Sequence, residues 1–338
     1  MLSSMFLALR LASTAAAAPI VLPMLTSSDG ASTLQFVGLL QIQHAEQWHD
    51  GAPGTGSLFL NRARAGVTGT VWRDELRYLL VADFGRSDVK LLYANLDYTF
   101  VPGAFSLRVG QFKRPFSRSF LSSSSQLSMI DRPLPVSTFG DGADIGLMVH
   151  NGDRQPFEYA VGLFGGGETA IHPVVTARVS FKTGGLKGYT ESDLEGGGPR
   201  LAVGGAVFVD LDPDAGLPAR GTVDLAFKAH GFALTSAVYL RVDGGAPLDR
   251  RLDAIGHHTQ VGYVIADRVE PVVRYTFLLD DEVDTHDASA GLNVFLHGHR
   301  LKLQGNVGVR EVLEHPFGVR DDEKTRDVYV ETQLSLAL

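Results

Sequence analysis

Two arginines, Arg62 and Arg64, stand two residues apart in the run Phe59-Leu60-Asn61-Arg62-Ala63-Arg64-Ala65-Gly66-Val67-Thr68. In a strand this spacing sends both guanidinium groups to one face, opposite Phe59, Ala63 and Val67. Guanidinium presents paired donors shaped for oxyanions. An anion entering a narrow passage loses water and must gain charge and donors in return. The same pair could equally be two ordinary polar residues of a water-filled lumen. A second basic stretch runs from Lys113 and Arg114 through Arg118 to Arg132 and encloses the serines Ser122 to Ser125. Its apolar residues, Phe116, Phe120, Leu121, Leu127, Met129 and Ile130, argue against a fully solvated loop and would pack it against a wall. Catalysis is less well served. His44, His49, His150, His172, His257 and His258 sit in no recognisable nucleophile motif. His257 and His258 would point to opposite faces of a strand, which is poor for a shared metal. Neither an enzyme nor a cofactor is expected.

The elements that must carry these groups alternate. At the chain end, Val328, Val330, Thr332, Leu334, Leu336 and Leu338 interleave with Tyr329, Glu331, Gln333, Ser335 and Ala337. A period of two over this length is a strand with one apolar and one wet face. From about residue 31 the chain repeats such segments, roughly ten residues each, as a transmembrane β-barrel requires. The pattern predicts about 16 strands: 34–46, 58–71, 76–84, 90–100, 105–112, 144–150, 157–164, 173–181, 200–210, 221–229, 232–242, 256–266, 269–279, 288–296, 300–310 and 326–338. Short turns at 73–75, 230–231, 266–268 and 297–299 contrast with longer polar loops at 210–220, 243–254 and 311–325. That asymmetry is the barrel pattern of periplasmic turns and outer loops. Thr183–Pro199 breaks it: either the strand count slips there or one turn carries an excursion. Aromatics such as Tyr98, Phe100, Phe181 and Tyr263 fall near strand ends, where interface girdles lie.

The totals agree with a barrel. Of 338 residues 44 % are hydrophobic and 38 are glycine, and mean hydropathy is only +0.06. A helical membrane bundle would be far more apolar. A net charge of −8 gives no basic surface for nucleic acid. Cysteine is absent, which weakly favours the cell envelope. Residues 1–18 read as a secretory leader, an apolar stretch followed by Ala15 to Ala18, with the cut as late as about 28 and Met5 an alternative start.

Five patches carry a resemblance beyond architecture: Phe59 to Gly69; Gly110-Gln111-Phe112-Lys113-Arg114-Pro115-Phe116-Ser117 with the serine run and Asp131-Arg132; Asp144-Ile145-Gly146 on to Gly165-Gly166; Tyr189-Thr190-Glu191-Ser192-Asp193-Leu194; and Gly291-Leu292-Asn293 to Gln304. In order and spacing, from about residue 34 to the C-terminus, the chain resembles the phosphate-selective porin O and P family of bacterial outer membranes. The resemblance implies an all-β, 16-stranded antiparallel barrel over residues 31–338, a homotrimer in outer-membrane lipid, and a third outer loop, about Lys113 to Gly142, folded into the pore. Small anions such as phosphate would pass, with Arg62, Arg64, Lys113, Arg114, Ser123, Ser124 and Arg132 lining or binding. The chain also departs from the family. Asn61 and Ala143 stand where the family often has arginine. Alternation places Asp83, Asp97, Glu158, Glu270 and Glu331 inward beside Arg77, Arg108, Arg178, Arg241, Arg274 and Lys302. Such a lumen forms no continuous basic ladder. Two alternatives to a phosphate channel therefore stand: a general porin, and a plugged structural or adhesive barrel.

Overall fold

The computed structural model describes residues 23–85, 88–140, 142–165, 172–212, 216–242, 244, 252–281, 283–314 and 323–338. The leader expected over 1–18 lies outside them.

The described chain is almost all strand. The two-residue β1 (Leu25–Thr26) precedes β2 (Thr33–His49), β3 (Thr55–Val71), β4 (Leu76–Asp83), β5 (Lys90–Val101) and β6 (Phe105–Lys113). The short helices α1 (Arg118–Leu121) and α2 (Leu134–Thr138) follow. Then come β7 (Ala143–His150), β8 (Phe157–Phe164), β9 (Val174–Thr183), β10 (Arg200–Asp210), β11 (Ala219–Ala229) and β12 (Phe232–Val242). The last are β13 (Leu252–Tyr263), β14 (Val269–Asp280), β15 (Val283–His297), β16 (Leu301–Glu314) and β17 (Glu323–Ala337).

Each strand from β2 to β17 pairs antiparallel with its sequence neighbours. The closing strand β17 pairs back onto β2, with Gln333 opposite Gln43, so the sheet is a closed 16-stranded barrel. Closure removes both sheet edges. β1 extends the β17 side of β2, with Leu25 opposite Leu34. All 16 expected strands are present. Several run further than their alternation indicated: β15 begins at Val283 and β16 ends at Glu314. There Asp284, Thr285, His286 and Asp287 are all polar, and backbone pairing continues where hydropathy no longer reports it.

The two faces separate as alternation demands. On β9, Val179 and Phe181 are 48 % and 61 % exposed, while Arg178 and Ser180 are 4 % and 1 % exposed. The apolar row faces out and the polar row faces in. Aromatics gather at the short-turn ends, as Tyr98 on Phe100 (4.6 Å) and Phe157 on Phe181 (4.9 Å). His230 and Gly231, both at positive φ, form a two-residue turn whose twist suits a hairpin.

Two connections leave the barrel pattern. Residues 114–140, between β6 and β7, are largely buried and contact inward-facing side chains of β2, β3, β9, β11 and β13 to β16. Phe116, Val136 and Phe139 pack with Phe112, Phe164, Phe208 and Tyr239 in an apolar cluster. The second connection is Thr183–Pro199. β9 and β10 stay in continuous register on either side of it, with Leu201 opposite Thr183. The strand count holds, and the turn carries an excursion whose Glu191, Ser192 and Asp193 are buried.

Candidate functional site

A bulge positions the first arginines. Arg62 pairs with Gln41 and Leu60 with Ile42, which leaves Asn61 as the extra residue of β3. Asn61 and Arg62 therefore both turn inward: Asn61 donates to Gln333 Oε1 at 3.1 Å, and Arg62 Nη1 donates to Gln41 Oε1 at 2.7 Å. Simple alternation would send Asn61 outward. Two residues on, Arg64 donates from Nε to Asp83 at 2.8 Å and from Nη1 to Ser124 Oγ at 3.1 Å.

The segment 114–142 supplies the facing side. Ser117 caps α1 by accepting the Phe120 amide at 3.2 Å. Arg132 reaches back to this turn, donating to the carbonyls of Ser119 (3.1 Å) and Ser122 (2.7 Å) and to Ser124 Oγ at 3.4 Å. One hydroxyl, that of Ser124, thus accepts from a wall arginine and a loop arginine. Burial, with Arg62 and Arg64 close by, pushes Arg132 down to about 10, still charged at neutral pH. Arg62, Arg64, Arg132 and Ser124 are brought together. Ser123 is exposed beside them and hydrogen-bonds Ser125 at 3.0 Å.

Lys113 and Arg114 have different work. Lys113 Nζ donates to the carbonyls of Phe120 (2.6 Å), Leu121 (3.2 Å) and Ser122 (2.9 Å), closing the C-terminal end of α1. Arg114 donates to the Gly140 carbonyl, pairs with Asp144 at 3.6 Å and lies over the Phe208 ring. Both fasten the segment at its base. The chain turns sharply after β6, and the carbonyls exposed there need these donors.

Acids counter the arginines. Asp131 stands 3.2 Å from Arg62 with its side chain 50 % exposed, and Asp83 holds Arg64. Alternation placed Asp83 inward; Asp131 was missed as a site residue, although it adjoins Arg132 in the Asp-Arg patch. Elsewhere the inward charges join one another. Arg178 makes a two-pronged pair with Asp224 at 2.6 and 2.8 Å. Asp97 sits between Arg108 (2.8 Å) and His150 (3.1 Å). His258 is buried against Ser119 Oγ at 3.3 Å, while the His257 ring packs at a tilt against Phe277 (5.2 Å). Among the described residues no cluster of His, Asp or Glu is arranged to hold a metal.

The excursion meets the loop. The Ser128 amide donates to Glu191 Oε2 at 2.8 Å, and the Ser128 and Ser192 hydroxyls are 2.9 Å apart. Arg118 donates to the Gly188 carbonyl at 3.2 Å and lies 5.2 Å over the Tyr189 ring. Burial pushes the Arg118 guanidinium down and the Tyr189 phenol up. From the far wall, Lys302 Nζ donates to the Leu127 carbonyl at 2.5 Å, and Asn293 Nδ2 to Ser128 O at 2.8 Å.

Residues 50–180, which hold the bulge, both arginines of β3 and the whole basic segment, match the family model described as phosphate-selective porin O and P. Over that segment the chain resembles the family, and its closed 16-stranded barrel is the fold of bacterial outer-membrane porins. It is a channel rather than an enzyme. No curated protein matches it. Solved structures share the fold at low identity. The anion-selective porin from Comamonas acidovorans is 13 % identical with a TM-score of 0.65, covering 91 % of this chain and 100 % of that one. The outer membrane channel DcaP of Acinetobacter baumannii is 13 % identical with a TM-score of 0.64, covering 93 % and 99 %. OmpT of Vibrio cholerae, in its in-vitro folded trimer form, is 12 % identical with a TM-score of 0.59, covering 90 % and 99 %.

Proposed function

We propose that the porin passes small hydrophilic solutes passively, with a preference for small anions such as phosphate. The observation that carries this reading is the meeting of Arg64 and Arg132 at the Ser124 hydroxyl, with the Arg62 charge close by. Arg132 donates only to neutral oxygens, so its charge is not cancelled by a bonded carboxylate. In this reading residues 114–142 fold into the pore and narrow it against the β2–β5 wall, and an incoming anion exchanges water for guanidinium and hydroxyl donors. Ser123, exposed at the same place, adds a further donor. The name of the Comamonas neighbour, an anion-selective porin, points the same way. A homotrimer is the matching assembly, since one of the OmpT structures is a trimer form. Secretion would remove the leader near residue 18.

Reversal potentials in planar bilayers under a potassium chloride gradient test the selectivity. Anion preference is expected, and phosphate should inhibit chloride current. A cation-selective reversal potential would remove the anion reading and leave the barrel untouched. A second reading, a plugged barrel with a structural or adhesive role, is favoured by one observation: loop and excursion interlock through Ser128, Glu191 and Ser192. Absence of any ion-permeable events from folded protein would select it.

A further inference from the structure

A cavity of about 250 Å³ opens between residues 131–134 and the strands β2 and β14 to β17. It lies towards the strand ends that meet the longer connections, which face outward in such barrels. Its wall carries both signs of charge. Most of these charges are matched within the wall. Asp287 takes Arg310 at 3.1 Å and the Tyr329 hydroxyl at 3.0 Å. Asp327 takes His49 at 2.6 Å and Gln47 at 2.8 Å. Asp131 takes Arg62 at 3.2 Å.

Apart from Glu46, which sits opposite Val330 on the alternate row of β2 to Gln43 and Gln47, three charged groups on this wall are not matched by an opposite charge. Arg274 donates to the Asp131 carbonyl at 2.7 Å, and its Nε has no protein partner. Arg132 donates only to two carbonyls and the Ser124 hydroxyl. On β17 of the same lining, Glu331 accepts the Gln43 amide at 3.2 Å. Among the described residues, none of the three has an opposite charge within ion-pair distance. Thr276, 1 % exposed, lines the same cavity, and its Oγ1 also has no protein partner. A lone anion drawn to Arg274 would be repelled by Glu331, and a lone cation drawn to Glu331 would be repelled by the arginines. A molecule carrying both charges a few bonds apart satisfies both sides. The volume lies below the ~300 Å³ at which drug-sized pockets begin, so the solute has about the size of an amino acid.

We propose that this chamber binds small zwitterions of the amino-acid class, with the carboxylate at Arg274 and the ammonium at Glu331. The proposal rests on the lumen being a solute path and supplies a solute class for it. Its test does not require conduction. Folded full-length protein in detergent is titrated with L-alanine, propionate and propylamine, and binding is read by saturation-transfer NMR. L-alanine should bind about tenfold more tightly than either single-charge analogue, the expected worth of one further charge-assisted contact. Glu331→Gln should weaken alanine about tenfold while sparing or improving propionate; Arg274→Gln should weaken both. Alanine binding no better than both analogues in the native protein overturns the proposal, without any variant having to fold. So does alanine affinity unchanged in both variants. An anion-selective channel that ignores alanine would sink the chamber alone; alanine binding by a non-conducting or cation-selective barrel would sink only the anion reading.

Discussion

On the proposed function, replacing Asp131 with Asn should shift selectivity towards anions. Asp131 lies 3.2 Å from Arg62 and is half exposed, so it sets a negative charge at the edge of the arginine cluster. Two unit charges ~5 Å apart repel by about 0.8 kcal/mol in a water-like dielectric and by about 3 kcal/mol at an effective constant of 20. Half exposure puts the real value near the lower figure, at ~1 kcal/mol, or about fivefold in the constant for phosphate inhibition of chloride current. The change also frees Arg62 from its ion pair. The fold should tolerate it, because Arg274 holds the Asp131 backbone carbonyl, which Asn retains. The assay is phosphate inhibition in planar bilayers at low and high salt. The Debye length falls from about 10 Å at 0.1 M to 3 Å at 1 M, so the fivefold gain should shrink in molar salt. Weaker or unchanged inhibition at low salt would refute the electrostatic reasoning. A gain that does not respond to salt would mean that loop geometry, not charge, had changed.

Asp224→Asn should destabilise the barrel by about 3–5 kcal/mol, because it leaves the Arg178 guanidinium buried with no counter-charge. Differential scanning calorimetry in detergent should record a lower unfolding temperature. Lys302→Met removes the charged donor to Leu127 O, leaves only the 3.4 Å bond from Gln304, and should cost about 1–3 kcal/mol. Open-channel noise should rise as residues 124–131 loosen, and unchanged noise would show that the segment is held without Lys302. Replacing residues 185–199 with Asn-Gly should leave a folded barrel, because ten cross-strand pairs fix β9 against β10 without the excursion. Conductance should then increase; a folded variant with native conductance would show that the excursion lies off the solute path.

Alternation made the barrel legible because lipid outside and water inside impose opposite demands on neighbouring residues of every strand. It reported least where that contrast fades. β15 starts five residues before the expected position because Asp284 to Asp287 puts polar residues on both faces. It also missed Asn61, because a bulge is a register shift and leaves no trace in hydropathy. The arginine pair and its partners Ser124 and Arg132 were legible as residue types at matching positions. The use of Lys113 was not, since it depends on where α1 places three carbonyls. The Thr183–Pro199 ambiguity was settled by register rather than composition.

A mixed lumen looked from the sequence like a weak basis for anion selection, but a tally of inward cations and acids is the wrong quantity. Arg178 and Asp224, Lys182 and Glu158, and Arg310 and Asp287 are matched pairs, with separations of 2.6, 2.5 and 3.1 Å. At these distances the field of each pair on a passing solute falls off as a dipole, and such pairs serve mainly to hold loop, excursion and wall together. At the outer chamber, what this cancellation leaves for a solute is Arg132, Arg274 and Glu331. At that wall two such cations against one anion favour negative solutes, while Glu331 favours those that also carry a positive group. Anion preference in the narrow part and zwitterion binding above it are therefore compatible in one pore, and Glu331→Gln should separate them by weakening alanine binding while making the current more anionic.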